Sequence, residues 1–255
     1  MKRTVTSLAT TLSVAIVMLL GVAASVQAQN VGGKRCSNLT LSGTYGAVIN
    51  GMSHGLPFAA LDVVVADGKE NFSGSGTVSY NGVVTRGVPL SATYAVNSDC
   101  SGSVTFSTGA TQNLVVTADG NLVQFIRTDD PDAQVTGDAR RASGICSAKQ
   151  MRGHYAATLD GAVSGLPFKA LDSVFADGLG NVSGSGTISY SGAITSSTFT
   201  ATYAVNPDCS GTIAFSTGAT QDLMIVSNGA EIRFIRTDYP DAVVTGIARN
   251  MAAPN

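Results

Sequence analysis

The stretch that decides the fold begins with Gly55-Leu56-Pro57-Phe58 and recurs as Gly165-Leu166-Pro167-Phe168. Around it, residues 36–89 reappear as residues 146–199, and residues 92–140 reappear as residues 201–249. Roughly 55% of the aligned positions are identical, which identifies an internal duplication. The sequence offset falls by one residue between the two blocks, which indicates that one residue is missing from a loop of the second copy.

Each copy is long enough to form one small hydrophobic core. Turn-forming pairs such as Asp67-Gly68 and Asn81-Gly82 recur about every ten residues, and short β-branched and aromatic runs without helical periodicity lie between them. In the first copy these runs are 45–49, 58–65, 72–80, 93–96, 104–107, 114–117, 122–128 and 133–139. About eight strands per copy predict an all-β protein of two tandem small antiparallel up-and-down β-barrels, because closure removes exposed sheet edges.

The amino terminus has the features of a secretory signal peptide. Lys2 and Arg3 precede the apolar stretch 12–22, and Val26-Gln27-Ala28 provides a small-residue cleavage site. We therefore predict a signal peptide over 1–28, a first barrel repeat over 29–143 and a second over 144–255. The apolar stretch is too short for a membrane span, so we expect a secreted or periplasmic protein without a stable membrane anchor after cleavage.

The composition restricts the classes of function. With 44% hydrophobic and 13% charged residues, the chain is typical of a compact glycine-rich protein and not of a disordered one. Lys and Arg number 15 against 17 Asp and Glu, and this balance argues against a nucleic-acid partner.

The four cysteines fall at equivalent places in the two copies. Cys36 and Cys146 precede the first strand of each copy, and Cys100 and Cys209 lie in an Asp-Cys-Ser-Gly turn. In an oxidising compartment, the simplest of the three connectivities is one bridge within each domain. Such a bridge is expected to stabilise each domain by roughly 4 kcal/mol. We expect no metal at these cysteines, because no CxxC spacing is present.

Comparison of the copies indicates which side chains point into each barrel. Phe58, Ala60, Asp62 and Val64 are unchanged in the second copy, whereas the alternate positions vary, with Lys169 replacing Ala59. Because a lysine belongs in water, the unchanged face is predicted to point inward and the variable face outward. Asp62 is thereby predicted to lie inside its barrel.

The same rule places an arginine and several tyrosines inside. Val123, Phe125 and Arg127 alternate with Gln124, so the apolar face of this strand carries an arginine, and three tyrosines recur at positions predicted to face inward. The predicted lumen candidates are Asp62, Arg127, Tyr45, Tyr80 and Tyr94 in the first copy, and Asp172, Arg236, Tyr155, Tyr190 and Tyr203 in the second. Gly74 and Gly76 are predicted to face the same interior, where they would leave space or admit a bulky neighbour.

Buried charges are costly, so the aspartate and arginine of each lumen are expected to pair or to lie at a wet mouth. One interpretation is a cavity for a small, mainly apolar ligand whose polar end is held by Arg127 or Arg236. A second is an isomerase or cyclase in which Asp62, Arg127 and the tyrosines polarise a substrate. A third is a structural or surface-interaction protein with solid cores. We favour ligand binding, because no activated nucleophile or base is visible, and we expect no cofactor.

Other chemical motifs are weak. Gly51-Met52-Ser53-His54-Gly55 fits the nucleophile-elbow pattern but lies in a hairpin loop and is not repeated. His54 and His154 are not at equivalent positions, which argues against a histidine-based metal site or triad. The acidic turn at 129–132 lacks the ligand spacing of a calcium loop, so we predict neither catalytic nor metal-binding residues.

Together with the paired cysteines and the signal peptide, Thr93-Tyr94-Ala95-Val96-Asn97 and Phe125-Ile126-Arg127-Thr128-Asp129 give the chain a recognisable pattern. It resembles tandem-repeat secreted bacterial β-barrel proteins, a resemblance that implies export but no activity. Each unit is also similar in size and strand pattern to lipocalin-like and allene-oxide-cyclase-like barrels. That second resemblance concerns the fold alone and implies no functional residue.

Overall fold

The computed structural model describes residues 35–238 and 240–252. The predicted signal peptide, residues 1–28, lies outside the described residues. Within the described part of the chain, no helix has the length and apolar character needed to cross a membrane.

The predicted fold class is confirmed, because the described residues form two closed antiparallel barrels of eight strands each. In both barrels every strand pairs with its neighbour in sequence, and the last strand pairs with the first. The strands of the first barrel are β1 Ser42–Ser53, β2 Leu56–Asp67, β3 Asn71–Tyr80, β4 Val83–Val96, β5 Ser101–Phe106, β6 Thr111–Val116, β7 Leu122–Arg127 and β8 Ala133–Arg141. Those of the second are β9 Arg152–Val163, β10 Leu166–Asp177, β11 Asn181–Tyr190, β12 Ala193–Val205, β13 Ser210–Phe215, β14 Thr220–Val226, β15 Glu231–Arg236 and β16 Ala242–Asn250.

The fourth strand is longer than the sequence predicts. The run 93–96 is only the end of β4, which begins at Val83 and continues through Gly87 and Pro89. Those two residues disfavour a regular strand, and this is why the beginning of β4 was missed. In each barrel the first four strands are long and the next three are short, so the wall of the barrel is uneven in height.

The sequence alignment indicated that the second copy lacks one residue of a loop. In the structure, the missing residue instead belongs to a strand. The pairing of β3 with β4 shifts by one residue between Gly76 and Val78, whereas the corresponding pairing of β11 with β12 is regular. The extra residue of the first barrel therefore forms a β-bulge at Arg86 and Gly87, where Gly87 has a φ of +66°. The bulge re-aims Arg86, whose Nε lies 2.9 Å from Asp222 Oδ2 of the second barrel.

The predicted disulfide pairing is confirmed, with one bridge in each barrel. Cys36 is bonded to Cys100, and Cys146 is bonded to Cys209. Each bridge ties the segment that precedes the first strand to the turn before the fifth strand. Two disulfides indicate folding in an oxidising environment.

The two barrels pack against each other through different faces. The outer face of β1–β3 in the first barrel contacts the outer face of β14–β16 in the second. Val48, Ala59 and Leu61 of the first barrel thereby join the hydrophobic core cluster of the second. Gly46 permits this approach, because a Cβ at that position would overlap the side chain of Met224. The contact is heterologous, since equivalent faces do not meet.

This interface corrects the prediction that the variable face of each barrel points to water. Ala59 and Leu61 are only 1% and 4% exposed, because the second barrel covers them. Their counterparts Lys169 and Leu171 are exposed to solvent. The prediction that the unchanged face points inward still holds, because Asp62 and Val64 line the lumen.

A charged network crosses the same interface. Arg233 is fully buried, and its Nε donates a 2.8 Å hydrogen bond to Glu231 Oε1. Its guanidinium also contacts the carboxylate of Asp138 in the first barrel. Glu231 is further held by Arg249 and by Arg140, at 3.1 and 3.3 Å. Each charge of this network therefore has a partner of opposite sign, which a buried ion pair requires in order not to be strongly destabilising.

Candidate functional site

The lumen of the first barrel contains a cavity of about 80 Å³. Its wall is formed by inward-facing side chains of all eight strands, most of them aliphatic or aromatic. Phe106 and Gln112, at the ends of the short strands β5 and β6, line the cavity and are half-exposed. The cavity therefore approaches solvent at the side where the barrel wall is lowest.

The opposite end of this cavity is closed by hydroxyl groups that already have partners. Tyr45 donates a 2.8 Å hydrogen bond to the carbonyl oxygen of Gly120 and accepts one from Arg141. Tyr94 donates a 2.8 Å hydrogen bond to the carbonyl oxygen of Leu41. These two predicted site residues do line the cavity, but their hydroxyl groups fasten the closed end of the barrel.

Among the described residues, Asp62 provides the one carboxyl group on the wall of this cavity. It lies in the middle of β2, is 7% exposed, and faces Ala47 on β1 and Gly76 on β3. Its Oδ1 atom is buried and has no hydrogen-bond partner within residues 35–238 and 240–252. Burial raises the pKa of the Asp62 carboxyl to about 7, because water no longer stabilises the ionised form.

Gly76 provides the space that Asp62 occupies. A Cβ at this position would overlap Asp62 Oδ1, and the same relation holds between Gly186 and Asp172 in the second barrel. The recurring Ser-Gly-Ser-Gly segment thus has a structural reason: glycine directly opposite the aspartate lets the carboxyl group lie flat against the neighbouring strand. The recurring Ser-Gly-Ser-Gly segment is visible in the sequence, but only the strand register shows that Gly76 lies opposite Asp62.

Arg127 does not pair with Asp62. It lies at the last position of β7, opposite Gln112 of β6, with its side chain 28% exposed. Its Nε is 3.0 Å from Asp129 Oδ1, and its Nη2 is 3.7 Å from Asp130 Oδ2. The hydrogen bond from Arg127 holds the pKa of Asp129 down, at about 2. Of the two arrangements expected from the sequence, the structure has the arginine at the mouth, where a carboxylate from the adjacent turn neutralises it.

Tyr80 and Tyr190 also lie away from the cavities. Both end a strand at the rim, where their hydroxyl groups donate hydrogen bonds to the carbonyl oxygens of Ser53 and Val163, at 3.2 and 3.3 Å. They cap the neighbouring β1–β2 and β9–β10 hairpins and do not reach the lumen.

The second lumen has the same design but less space. Its cavity measures about 40 Å³ and is lined by Asp172 and Tyr155. Phe199 takes the place of Leu90, and Ile213 and Ile232 replace valines of the first barrel; these larger side chains outweigh the opposite exchange of Phe72 for Val182. Burial raises the pKa of Asp172 to about 6, less than for Asp62, because Asp172 is only partly buried.

The remaining candidates of the second barrel follow their counterparts. Arg236 is held by Asp238, with Nε 3.0 Å from Oδ1. Tyr203 is buried and donates a 2.8 Å hydrogen bond to the carbonyl oxygen of Met151. The Tyr155 hydroxyl donates a 2.9 Å hydrogen bond to the carbonyl oxygen of Gly229.

The structure also brings together residues that the sequence analysis treated separately. His54, in the β1–β2 hairpin, has its Nε2 atom 3.6 Å from Asp130 Oδ2, and Asp132 lies beside them. Asp130 is also near Arg127, so this rim cluster already contains a cation. Because its members lie in different hairpins, no sequence pattern predicted that they would be close together.

Comparisons with known proteins do not identify a family for this chain. No protein-family model matches the chain, and no curated protein sequence matches it. Among solved structures, the chain is similar to one described as the crystal structure of CghA with Sch210972, with 7% sequence identity and a TM-score of 0.28, over 81% of this chain and 88% of that one. A likeness at this level carries no argument about this protein.

Proposed function

We propose that the first barrel binds a small, mainly apolar molecule in its lumen, as part of a protein that is exported to the periplasm or beyond the cell. The observation that carries the proposal is the Asp62 carboxyl, whose Oδ1 atom is buried at an apolar cavity without a hydrogen-bond partner among the described residues. Buried polar groups in folded proteins almost always have hydrogen-bond partners, and an exception calls for an explanation. A ligand with one polar group would supply the missing partner.

The alternative of a purely structural protein accounts less well for this residue. A solid barrel core is most stable when its interior is filled by apolar side chains, and an unpaired carboxyl lowers its stability. Both copies nevertheless keep the aspartate together with the glycine that makes room for it, Gly76 in the first and Gly186 in the second. Retention of a destabilising group on an inward face favours a binding role.

Catalysis by an isomerase or cyclase is a second candidate, supported by one observation. A carboxyl group with a pKa of about 7 is suited to proton transfer near neutral pH. The arginine that would have polarised a substrate lies instead at the mouth, paired with Asp129. Binding therefore requires fewer additional groups than catalysis, and turnover of a bound molecule would be a further property of the same lumen.

The proposal is tested by native mass spectrometry of the mature protein, purified from the cells that make it. We expect a bound small molecule on the wild-type chain. Ala47→Leu, which fills the first cavity beside Asp62, should abolish its retention. Ala157→Leu, the equivalent change in the second barrel, is the matched control and should leave it unchanged.

Two results would overturn the proposal. One is a wild-type chain that carries no small molecule and takes up none when it is exposed to an extract of its own medium. The other is equal loss of the bound molecule in both variants, which would place the molecule elsewhere. Circular dichroism of both variants confirms that the barrels are folded.

A further inference from the structure

The charges that face the first cavity indicate what kind of polar group the ligand carries. Ala47 in β1 and Gly76 in β3 flank Asp62 and present no charged group to it. The other titratable side chains on the cavity wall are Tyr45 and Tyr94, whose hydroxyl groups are engaged at the closed end. Within the described residues, the wall therefore carries one acid and no base.

We propose that the ligand of the first lumen is a compact organic amine, bound with its ammonium group on the Asp62 carboxylate and its apolar part in the cavity. This inference rests on the proposed function and narrows it. It differs from the expectation that an arginine holds the polar end of the ligand, because Arg127 is already neutralised by Asp129 and Asp130 at the mouth.

An ammonium group fits Asp62 better than a neutral group does. Folding has already removed this carboxyl from water, so its desolvation is not repeated when the ligand binds. A cation supplies both a hydrogen-bond donor and the opposite charge, and charge-assisted hydrogen bonds are about twice as strong as neutral ones. An anion would meet a buried acid and no base, and would be repelled.

The cavity wall adds a second reason. Phe72, Phe106 and Phe125 line the cavity together with the two tyrosine rings. Aromatic faces attract cations, most strongly when water is excluded. A lumen that combines one carboxyl with several aromatic rings therefore favours a cation over an alcohol or amide of the same shape.

The volume limits the size of the apolar part. A cavity of about 150 Å³ accommodates benzene, and the first lumen offers about 80 Å³. The amine that fits without rearrangement therefore has a short branched or unbranched carbon chain. Larger amines require movement of half-exposed side chains such as Phe106 and Gln112.

The test uses three molecules of similar size: isopropylamine, isopropanol and acetate. Each is titrated at pH 8 into the full mature chain and followed by NMR. We expect isopropylamine to bind about tenfold more tightly than isopropanol, and acetate not to bind in the lumen. Asp62→Asn should remove the preference for the amine and retain isopropanol binding, whereas the matched control Asp172→Asn should keep the preference.

The pH dependence gives an independent readout. Because the amine binds the ionised carboxyl, its advantage over isopropanol should shrink when the pH is lowered from 8 to 5, as Asp62 takes up a proton. Isopropanol affinity should change little over the same range. A structural role of Asp62 alone would not produce this difference between the two molecules.

The outcomes separate the two proposals. If isopropanol binds in the first lumen and isopropylamine binds no better, the amine inference is wrong and lumen binding stands. An amine preference that survives in Asp62→Asn also overturns the inference. If neither molecule enters the lumen and the purified protein carries no ligand, the proposed function fails, and the inference fails with it.

Discussion

The two barrels have the same strand order and pairing, but their corresponding outer faces have opposite surroundings. Leu61 of β2 is 4% exposed, whereas Leu171, its counterpart in β10, is 61% exposed. Arg233 of β15 is fully buried, whereas its counterpart Gln124 in β7 is exposed. The inward faces, by contrast, carry nearly the same residues. This contrast shows that lumen positions are kept because each of them faces the interior of its own barrel, whereas each outer face adapts to its own neighbour.

The free face of the second barrel carries charged residues that the covered face of the first barrel lacks. A heterologous contact leaves one unused face on each partner, to which a further copy could add. On the free face of the second barrel, Lys169 and Asp160 form an ion pair where the first barrel has Ala59 and Asn50. Charged groups at these positions disfavour the docking of a further barrel on this face.

The largest expected effect comes from the interface. Arg233→Ala removes a fully buried guanidinium that contacts Glu231 and Asp138, so we expect a loss of about 3–5 kcal/mol in the free energy of unfolding. The matched control is Gln124→Ala at the equivalent exposed position of the first barrel, which should cost less than about 0.5 kcal/mol. Urea unfolding followed by circular dichroism measures both. Equal losses would mean that the two faces do not differ as described.

The next prediction concerns the pH dependence of stability, to which Asp62 and Asp172 should contribute differently. A carboxyl whose pKa is higher in the folded than in the unfolded chain favours folding most below its unfolded pKa, and this contribution is lost as the pH rises through the folded value. For Asp62, with a folded pKa of about 7, stability should fall between about pH 4 and pH 7, by at most about 4 kcal/mol. Asp172 should contribute less, over a window that ends near pH 6.

Unfolding measured at pH 4, 6 and 8 checks this expectation. Asp62→Asn should flatten the pH dependence and make the chain more stable than the wild type at pH 8, whereas Asp172→Asn should change the profile only slightly. Asp129, whose pKa is lowered by Arg127, acts in the opposite direction and only below about pH 4. A wild-type stability that rises from pH 4 to pH 8 would contradict the burial of an unpaired acid.

The smallest effect concerns the size of the cavities. Leu90→Phe gives the first barrel the residue of the second, and Phe199→Leu makes the reverse exchange. We expect the first change to cost little or to stabilise, because space is available, and the second to cost about 1 kcal/mol for the enlarged cavity. Thermal unfolding gives the two differences. If both substitutions destabilise equally, the lumens are packed alike and the comparison of their volumes is wrong.

Much of the fold could be predicted because the sequence contains two copies of one unit, which can be compared position by position. The duplication defined two units, the cysteines paired within them, and the unchanged positions around Asp62 identified the inward face. The same comparison failed for Ala59, whose face was predicted to point to water but is covered by the second barrel. Variation between copies shows that two environments differ, but it does not tell whether water or another barrel lies in either of them.

Other features depended on geometry that no local pattern encodes. The side-chain alternation placed Arg127 on the inward face, but the Asp129 carboxylate in the following turn holds it at the mouth. The bulge at Arg86 and Gly87 followed from the strand register alone. The cavity volumes depend on several residue exchanges together, such as Leu90 for Phe199. No single position in the sequence predicts them.

The central claim is that the first lumen, and not the second, takes up a small apolar molecule. The most direct measurement is methyl-resolved NMR of the mature chain titrated with dissolved isobutane. Leu114 and Leu223 occupy equivalent positions in the two cavities, as do Val123 and Ile232. We expect saturable shifts at Leu114 and Val123, with Leu223 and Ile232 unaffected. The absence of shifts at all four residues, or equal shifts in both barrels, would contradict the account.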